Sequence, residues 1–523
     1  MADTFEVGRR WNSETGHVGR RETLNLKHIA HMTLQGPTGC GKGVTIELVN
    51  LLGDGLRNCN VVSIDPTGQN YAVSWKWRSS FSEVLPLNPF HLHGGKDVGC
   101  NPLLDVKSFV EAMAVAEALM MVRPETAEPF FAESAQGLLA GIILHVVRDC
   151  AAKNQTPTLM KVRRILTDDL EAFAAKMAKS DNPQIASLLG RFQKESRTID
   201  AIKQTADNAT KWLLDEHIAQ SLCVKEGESI DWTQLKRSKR PLSIYAILDA
   251  DKLITFAPWL RLIQVSALNT LYRLGGGASA PTKESGRNTV FMMSEFAALG
   301  KLPPILAGLA QGRKYGVRFM PMVIQDTGQL AATYGTHNAT TVIGNSGALL
   351  AFAPAPGDMN CAEFLSRAGG MQWVEDIRAS DDPNGGPCRI DRSLREERIW
   401  SPDAVRGLPA FHGLVWRTGS AHAQPVYCPP YWEIRALNRR AEPDPYHHPA
   451  GASGAGGTAR RAAAAATVAA FIAAGAWVSH HAPTNWIWPV VASPVVRAED
   501  PPQHHRPPGI PSHPSHGHRV TRG

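Results

Sequence analysis

The stretch QGPTGCGKGVTIELVNLL, residues 35–52, decides the fold of this chain. The short run His31–Gln35 before it suits a buried strand, and the glycine-rich turn that follows cannot continue that strand. Residues 44–52 then carry apolar side chains at helical spacing. Backbone amides and a lysine bind phosphate groups in this order of strand, glycine turn and helix, so the sequence predicts a phosphate-binding loop. The alternative is a glycine-rich turn without a ligand.

The predicted nucleotide-binding residues form one continuous run. They are Gly36, Pro37, Thr38, Gly39, Cys40, Gly41, Lys42, Gly43 and Val44. We expect Lys42 to bridge the terminal phosphates of ATP. The run matches the pattern G-x-x-x-x-G-K-[ST] except at its last position, where Gly43 replaces the hydroxyl residue that usually helps to hold Mg²⁺. Cys40 is interpreted as a small residue that the loop tolerates.

A second stretch, NTVFMMSEFAALGKL at 288–302, supplies the acidic group that such a loop needs. Its run Thr289–Met293 suits a strand buried on both faces of a parallel sheet. In phosphate-loop enzymes the strand beside the loop ends in an acidic pair, which supports Mg²⁺ and positions the attacking water. Glu295 is predicted to take the catalytic role. Ser294 stands at the metal position but carries no charge.

Two more polar residues follow predicted strands. Gln325 comes directly after the apolar run Val317–Ile324 and is predicted to sense a γ-phosphate or a water molecule; the alternative is a residue that caps a loop. Asp65 ends another predicted strand and is a second candidate for the Mg²⁺ position. Its alternative role is to start a turn before Pro66.

These segments together resemble the coupling proteins of type IV secretion and bacterial conjugation, the TraG family. The resemblance is carried by GPTGCGKG at 36–43, VVSIDPTGQNYAVSWKWRSSFSEVLPLNPF at 61–90, SEFAALGKL at 294–302 and RKYGVRFMPMVIQDTGQL at 313–330. It extends from about residue 25 to about residue 435. The resemblance implies a RecA-like phosphate-loop α/β domain with an inserted all-α domain, and ATP and Mg²⁺ as cofactors.

The chain also departs from the family pattern. Ser294 replaces an aspartate, Thr67 replaces a lysine and Gln69 replaces a glutamate. With Gly43, two positions that usually support Mg²⁺ are lost, which puts hydrolysis in question more than nucleotide binding. In the family, the region of Arg313 supplies an arginine to the site of a neighbouring subunit; the alternative is a solvated arginine in a surface turn.

The resemblance implies a homo-hexamer that drives single-stranded DNA and its attached relaxase, or effector proteins, into a type IV secretion channel at the inner membrane. A second hypothesis is a non-hydrolysing, nucleotide-gated docking platform for the same partners. A third, a chromosomal DNA pump, is less favoured by the Q-x-x-x-Q-L and L-G-K-L segments. The polar start shows no signal peptide or membrane span, whereas the family resemblance implies an inner-membrane anchor at the amino terminus. Either the protein is a soluble or peripheral variant on the cytoplasmic side of the membrane, which we expect, or its amino-terminal portion is missing.

Composition divides the 523 residues into five parts. We expect a flexible segment at 1–26, the nucleotide-binding domain at 27–104 and 231–437, an all-α domain at 105–230 and a largely disordered tail at 438–523. The net charge of +7 permits an anionic partner without proving one. The eight cysteines lack zinc or C-x-x-C spacing, which favours reduced thiols.

One part of the predicted tail stands apart. Residues 462–478 are uncharged and alanine-rich, with tryptophans near their far end. A spanning helix prefers about 20 apolar residues. A membrane segment and a disordered tail therefore both remain open.

Overall fold

An eleven-stranded sheet organises this chain in the computed structural model, which describes residues 3–120, 129–194, 196–275, 287–380 and 389–447. The strands are β1 (Thr4–Trp11), β2 (Val18–Asn25), β3 (His31–Gln35), β4 (Asn60–Pro66), β5 (Glu83–Leu87), β6 (Leu242–Leu248), β7 (Thr289–Met293), β8 (Val317–Ile324), β9 (Ala348–Phe352), β10 (Met371–Ser380), β11 (Arg389–Arg398), β12 (His412–Arg417) and β13 (Gln424–Tyr427). Their order in the large sheet is β2-β1-β13-β12-β9-β3-β8-β7-β4-β6-β5, and β10 and β11 form a separate hairpin.

The seven strands from β9 to β5 are parallel. All residues of β3, β7, β8 and β9 are buried, as expected for a parallel sheet covered on both faces. Parallel strands place their carboxyl ends at one edge, where ligands bind in open α/β sheets. The predicted strands and the α/β class are confirmed.

Helices cover both faces of this sheet. They are α1 (Leu48–Leu52), α2 (Gln69–Ser79), α3 (Phe109–Leu119), α4 (Pro129–Ala152), α5 (Leu159–Thr167), α6 (Leu170–Met177), α7 (Pro183–Leu189), α8 (Arg197–Thr210), α9 (Glu216–Leu222), α10 (Gln234–Arg237), α11 (Ala257–Gly275), α12 (Pro303–Gln311), α13 (Thr327–Tyr334), α14 (Thr336–Gly344), α15 (Met359–Ala368), α16 (Pro402–Arg406) and α17 (Arg435–Asn438). A π-helical turn, Gly43–Glu47, precedes α1.

Helices α3 to α9 fill the region predicted to be all-α. Their buried side chains belong to the same hydrophobic core as one face of the sheet, which includes Ile244 and Phe291. Helix α4 is long and apolar enough to cross a membrane, but 61% of its most apolar 18-residue window is buried within the protein. It therefore serves as the central helix of this core in the described structure.

The expectation of a flexible segment at 1–26 is wrong for residues 3–25. This part of the chain forms β1 and β2, and β1 pairs with β13. Phe5, Val7 and Leu24 are fully buried there. The many charged residues misled the sequence interpretation because they neutralise each other within the sheet, as Glu22 does with Arg417 at 2.9 Å.

The predicted start of the tail at 438 is also too early. Residues 438–447 pack along α2, where Glu442 pairs with Lys76 at 2.9 Å and the Arg440 guanidinium lies 3.9 Å from the centre of the Trp77 ring. The low-complexity character that begins near 440 hid these contacts. The remaining tail, including the membrane candidate at 462–478, lies outside the described residues.

Arg261, on α11, joins the helical region to the turn after β7. Its side chain is only 1% exposed and its guanidinium donates to five backbone carbonyl oxygens. Those oxygens belong to Glu117, Ala118 and Met120 at the end of α3, and to Leu299 and Lys301, at 2.7–3.2 Å. The buried Arg261 guanidinium thus satisfies carbonyl oxygens at the end of α3 and in the turn after β7.

We expect Arg261→Met to lower the free energy of unfolding by about 3 kcal/mol, because buried carbonyls lose charge-assisted hydrogen bonds. Denaturant unfolding measures this change. Arg148→Met on α4, an exposed position, is the matched control. Equal stability losses in the two variants would contradict the structural role of Arg261.

Candidate functional site

The phosphate loop lies at the carboxyl edge of the sheet, directly after β3. The Gly36 amide donates to the Ile324 carbonyl at 3.2 Å, which ties the start of the loop to the end of β8. Gly39 and Gly41 have φ values of 83° and 91°, conformations that glycine adopts readily. At Gly41 a Cβ atom would lie 2.7 Å from the Phe411 ring, so the close packing also requires glycine.

Lys42 lies inside its own loop. Its Nζ donates to the carbonyl oxygens of Gly36 at 2.7 Å and Pro37 at 2.8 Å, and lies 3.8 Å from Cys40 Sγ. The lysine thereby occupies the concave side of the loop with its charge satisfied by neutral carbonyls. Burial raises the pKa of the Cys40 thiol, which disfavours the reactive thiolate.

Gly43, where a hydroxyl is usual, faces Gln69 at the start of α2. A Cβ atom at Gly43 would lie 3.8 Å from Gln69 Oε1. The side-chain Nε2 of Gln69 donates to both carboxylate oxygens of Asp444, at 3.1 and 2.9 Å. Asp444, in the C-terminal segment of residues 431–447, therefore contacts Gln69, which lies beside Gly43 of the phosphate loop.

The two residues predicted after β7 lie beside this loop. The Ser294 hydroxyl lies 2.8 Å from the Ile64 carbonyl oxygen and 2.7 Å from Glu47 Oε2. Glu295 is partly buried, and no donor among the described residues reaches its carboxylate. Burial raises the pKa of Glu295, and the charge of Lys42 opposes that shift. Glu295 is thus a partly buried carboxylate on which the charge of Lys42 acts.

Glu47 is the acidic residue that the sequence interpretation missed. It ends the π-helical turn and is 3% exposed. Its Oε2 accepts hydrogen bonds from Asn70 Nδ2 at 2.7 Å and from Ser294. Burial raises its pKa, while those two hydrogen bonds and the charge of Lys42 lower it. A charged residue within the apolar run VTIELVNLL was the available signal.

Asp65 is engaged by the backbone. It is 1% exposed, and its two oxygens accept from the amides of Asn70 at 3.1 Å and Tyr71 at 2.7 Å. Burial raises its pKa to about 7, although these two amides act in the opposite direction. The contacts are those of a residue that caps α2, and this geometry favours the turn role over a metal role.

The last two predicted residues lie at opposite ends of β8. Gln325 is exposed at the carboxyl end, next to the loop through the Gly36–Ile324 hydrogen bond. Arg313 lies before the amino end, where its guanidinium donates to the Lys27 carbonyl at 2.6 Å. Eight residues of strand separate the two ends by about 26 Å. Arg313 is therefore remote from the phosphate loop of its own chain.

Comparison with known proteins identifies the family of this chain. The family model "Type IV secretory system Conjugative DNA transfer" matches residues 2–428. A conjugal transfer protein TraG from Agrobacterium fabrum is 28% identical over 320 residues, or 59% of this chain and 46% of that protein. VirD4 from Rhizobium rhizogenes is 23% identical over 353 residues, or 65% and 49%. The chain spans about half the length of these curated relatives.

Solved structures of the plasmid coupling protein TrwB share the fold. An unbound form has a TM-score of 0.59 at 19% identity, over 76% of this chain and 84% of that one. A complex with ADP and Mg²⁺ has a TM-score of 0.61 at 18% identity, over 82% and 94%. These likenesses confirm the predicted RecA-like α/β architecture. Since the family model covers most of its length, this chain belongs to the conjugative DNA transfer family of type IV secretion, as the TraG resemblance indicated.

Proposed function

We propose that this chain is the nucleotide-driven coupling component of a conjugative or type IV secretion apparatus. Its cargo would be single-stranded DNA with the attached relaxase, or protein effectors. Family membership supports this proposal. The observation that carries it is the position of Lys42, Glu295 and Gln325 at one edge of the sheet, where they supply a cation, a carboxylate and an amide suited to phosphoryl transfer.

The loop Gly36–Val44 is proposed to bind ATP. Its backbone amides would surround the phosphate oxygens, and Lys42 would exchange the carbonyls of Gly36 and Pro37 for the terminal phosphates. Neutral carbonyls hold a lysine less strongly than charged phosphates do. The Lys42 ammonium group therefore already lies where we propose that the phosphates bind.

The donor groups at this edge fit Mg²⁺, which prefers oxygen ligands. The Ser294 hydroxyl and the Glu47 carboxylate lie together beside the loop, and Asp65 is occupied by backbone amides. When bound, the ion supplies charge neutralisation on the phosphates. A TrwB structure contains ADP and Mg²⁺, which supports both as cofactors here.

Glu295 and Gln325 are proposed to act on the attacking water. Among the residues that the structure describes, none donates a hydrogen bond to the Glu295 carboxylate, which would therefore be available to orient that water. The exposed amide of Gln325, one residue beyond the β8 carbonyl that holds Gly36, would contact the water or the γ-phosphate. These are the roles that the sequence predicts for the two positions at the ends of their strands.

Arg313 is proposed to act in a neighbouring subunit. Because it lies at the far end of β8, it cannot reach the nucleotide site of its own chain. In a ring of identical subunits, a homo-hexamer by the family resemblance, it would face the adjacent site as an arginine finger. We place the ring on the cytoplasmic side of the inner membrane, at the secretion channel.

A non-hydrolysing docking platform is the second candidate. It is favoured by specific substitutions: Gly43 and Ser294 lack the usual metal-supporting groups, and Gln69 is hydrogen-bonded to Asp444. Such a protein would bind nucleotide to change its affinity for relaxase or effectors, without turnover. Binding and hydrolysis must therefore be tested separately.

Lys42→Ala should weaken nucleotide binding at least tenfold, because it removes the one side-chain cation that the loop presents to the phosphates. Titration with a fluorescent ATP analogue measures the affinity. Lys27→Ala, on the exposed segment before β3, is the control. If the Lys42→Ala and wild-type affinities agree, the site assignment is wrong.

Hydrolysis is tested by phosphate release from the assembled chain, with and without single-stranded DNA. We expect DNA-stimulated turnover that Glu295→Gln lowers about 10²–10³-fold while nucleotide affinity stays unchanged, since water activation is lost but the loop is intact. Glu83→Gln on β5 is the matched exposed control. ATP binding without turnover, with DNA and relaxase present, would favour the docking platform.

The same assay separates a role of Arg313 in trans from one in cis. Arg313→Ala alone should be inactive. Mixed rings with Glu295→Gln should recover part of the activity, because some interfaces then combine an intact Glu295 with an intact Arg313 from its neighbour. Failure of the mixture to exceed both single variants would contradict the arrangement in trans.

A further inference from the structure

Glu47 occupies an unusual place for an acidic side chain. It ends the π-helical turn Gly43–Glu47, in which the Leu48 amide donates to the Gly43 carbonyl, five residues back. Such turns are rare and occur frequently at functional sites. The turn places Glu47 close enough to Lys42 and Glu295 for their charges to act on one another.

Burial of this carboxylate is costly without compensation. Asn70 and Ser294 both hydrogen-bond to the same oxygen, Oε2, at 2.7 Å. The side chain is 3% exposed, and in the described part of the chain the hydrogen bonds to Glu47 all go to Oε2 and none to Oε1. A glutamine carbonyl could accept the same two hydrogen bonds. Neither of these two hydrogen bonds therefore requires a charge on Glu47.

Ser294 and Glu47 form a matched pair. An aspartate at 294 would bring a second carboxylate to the place where the Ser294 hydroxyl now lies 2.7 Å from Glu47. Two carboxylates at such a distance repel, and one of them takes up a proton. The hydroxyl instead donates a hydrogen bond, so the loss of charge at 294 is linked to the presence of charge at 47.

We propose that Glu47 supplies, from the helix after the phosphate loop, the carboxylate charge that position 294 lacks at the Mg²⁺–nucleotide site. Ser294 and Asn70 are positioning residues, which fix Glu47 through Oε2 and leave Oε1 available. The inference rests on the proposed nucleotide site. In this arrangement the carboxylate that supports the metal is at position 47, and Ser294 holds it in place.

The experiment compares ADP affinity in EDTA with ADP affinity in Mg²⁺, using fluorescent ADP. We expect Mg²⁺ to strengthen binding to the wild type. Glu47→Gln should reduce that gain about tenfold and leave affinity in EDTA unchanged, since partners of a metal site typically contribute 10–100-fold. Ser294→Asp combined with Glu47→Gln should restore the gain. Ser294→Asp alone should give no gain beyond the wild type, because its carboxylate faces Glu47.

The melting temperature and the affinity in EDTA establish that each variant is folded. Ser294→Ala offers a second route: it keeps Glu47 but removes one positioning hydrogen bond, and should reduce the Mg²⁺ gain by a smaller factor. Glu83→Gln should behave as the wild type. An unchanged Mg²⁺ gain in Glu47→Gln, or failure of the double variant to recover it, overturns the inference alone. A wild type that binds no nucleotide overturns the proposed function with it.

Discussion

A single buried carboxylate determines how the parts of this site fit together. Glu47 ends the π-helical turn after the phosphate loop, and its hydrogen bonds to Asn70 on α2 and to Ser294 after β7 join these three elements. Because a buried charge must be compensated, the residues around it cannot vary independently. The serine at 294 is understandable only with Glu47 beside it, since an aspartate there would add a repelling charge.

The other departures from the family pattern are also linked by contacts. Thr67 has a φ of 79°, and its carbonyl oxygen accepts from His93 at 2.6 Å and from the Tyr446 hydroxyl at 3.0 Å. Gln69 donates to Asp444. A glutamate at 69 would place two carboxylates together, so the neutral amide suits a C-terminal segment that packs on α2. The edge of the nucleotide site and residues 431–447 thus form one continuous structure.

Local patterns in the sequence predicted the parallel strands, the phosphate loop and Glu295. Their signals, apolar runs followed by glycines or an acidic residue, depend on neighbours in the chain. The sequence interpretation missed Glu47 because its hydrogen-bond partner Ser294 lies 247 positions further along the chain. The strands near the N-terminus were missed for a similar reason, since Glu22 finds Arg417 only in the folded sheet. Asp65 was correctly placed at a strand end, but only the structure revealed that amides occupy it.

Nucleotide binding by this loop depends above all on Lys42, which we propose exchanges its two carbonyl contacts for the phosphates. The most direct measurement is a cryo-EM structure of the full chain with a non-hydrolysable ATP analogue and Mg²⁺. The account predicts that Lys42 Nζ leaves the Gly36 and Pro37 carbonyls, now at 2.7 and 2.8 Å, and contacts phosphate oxygens beside Glu295. A loop without nucleotide at saturating analogue, with Lys42 still bound to its own carbonyls, would contradict it.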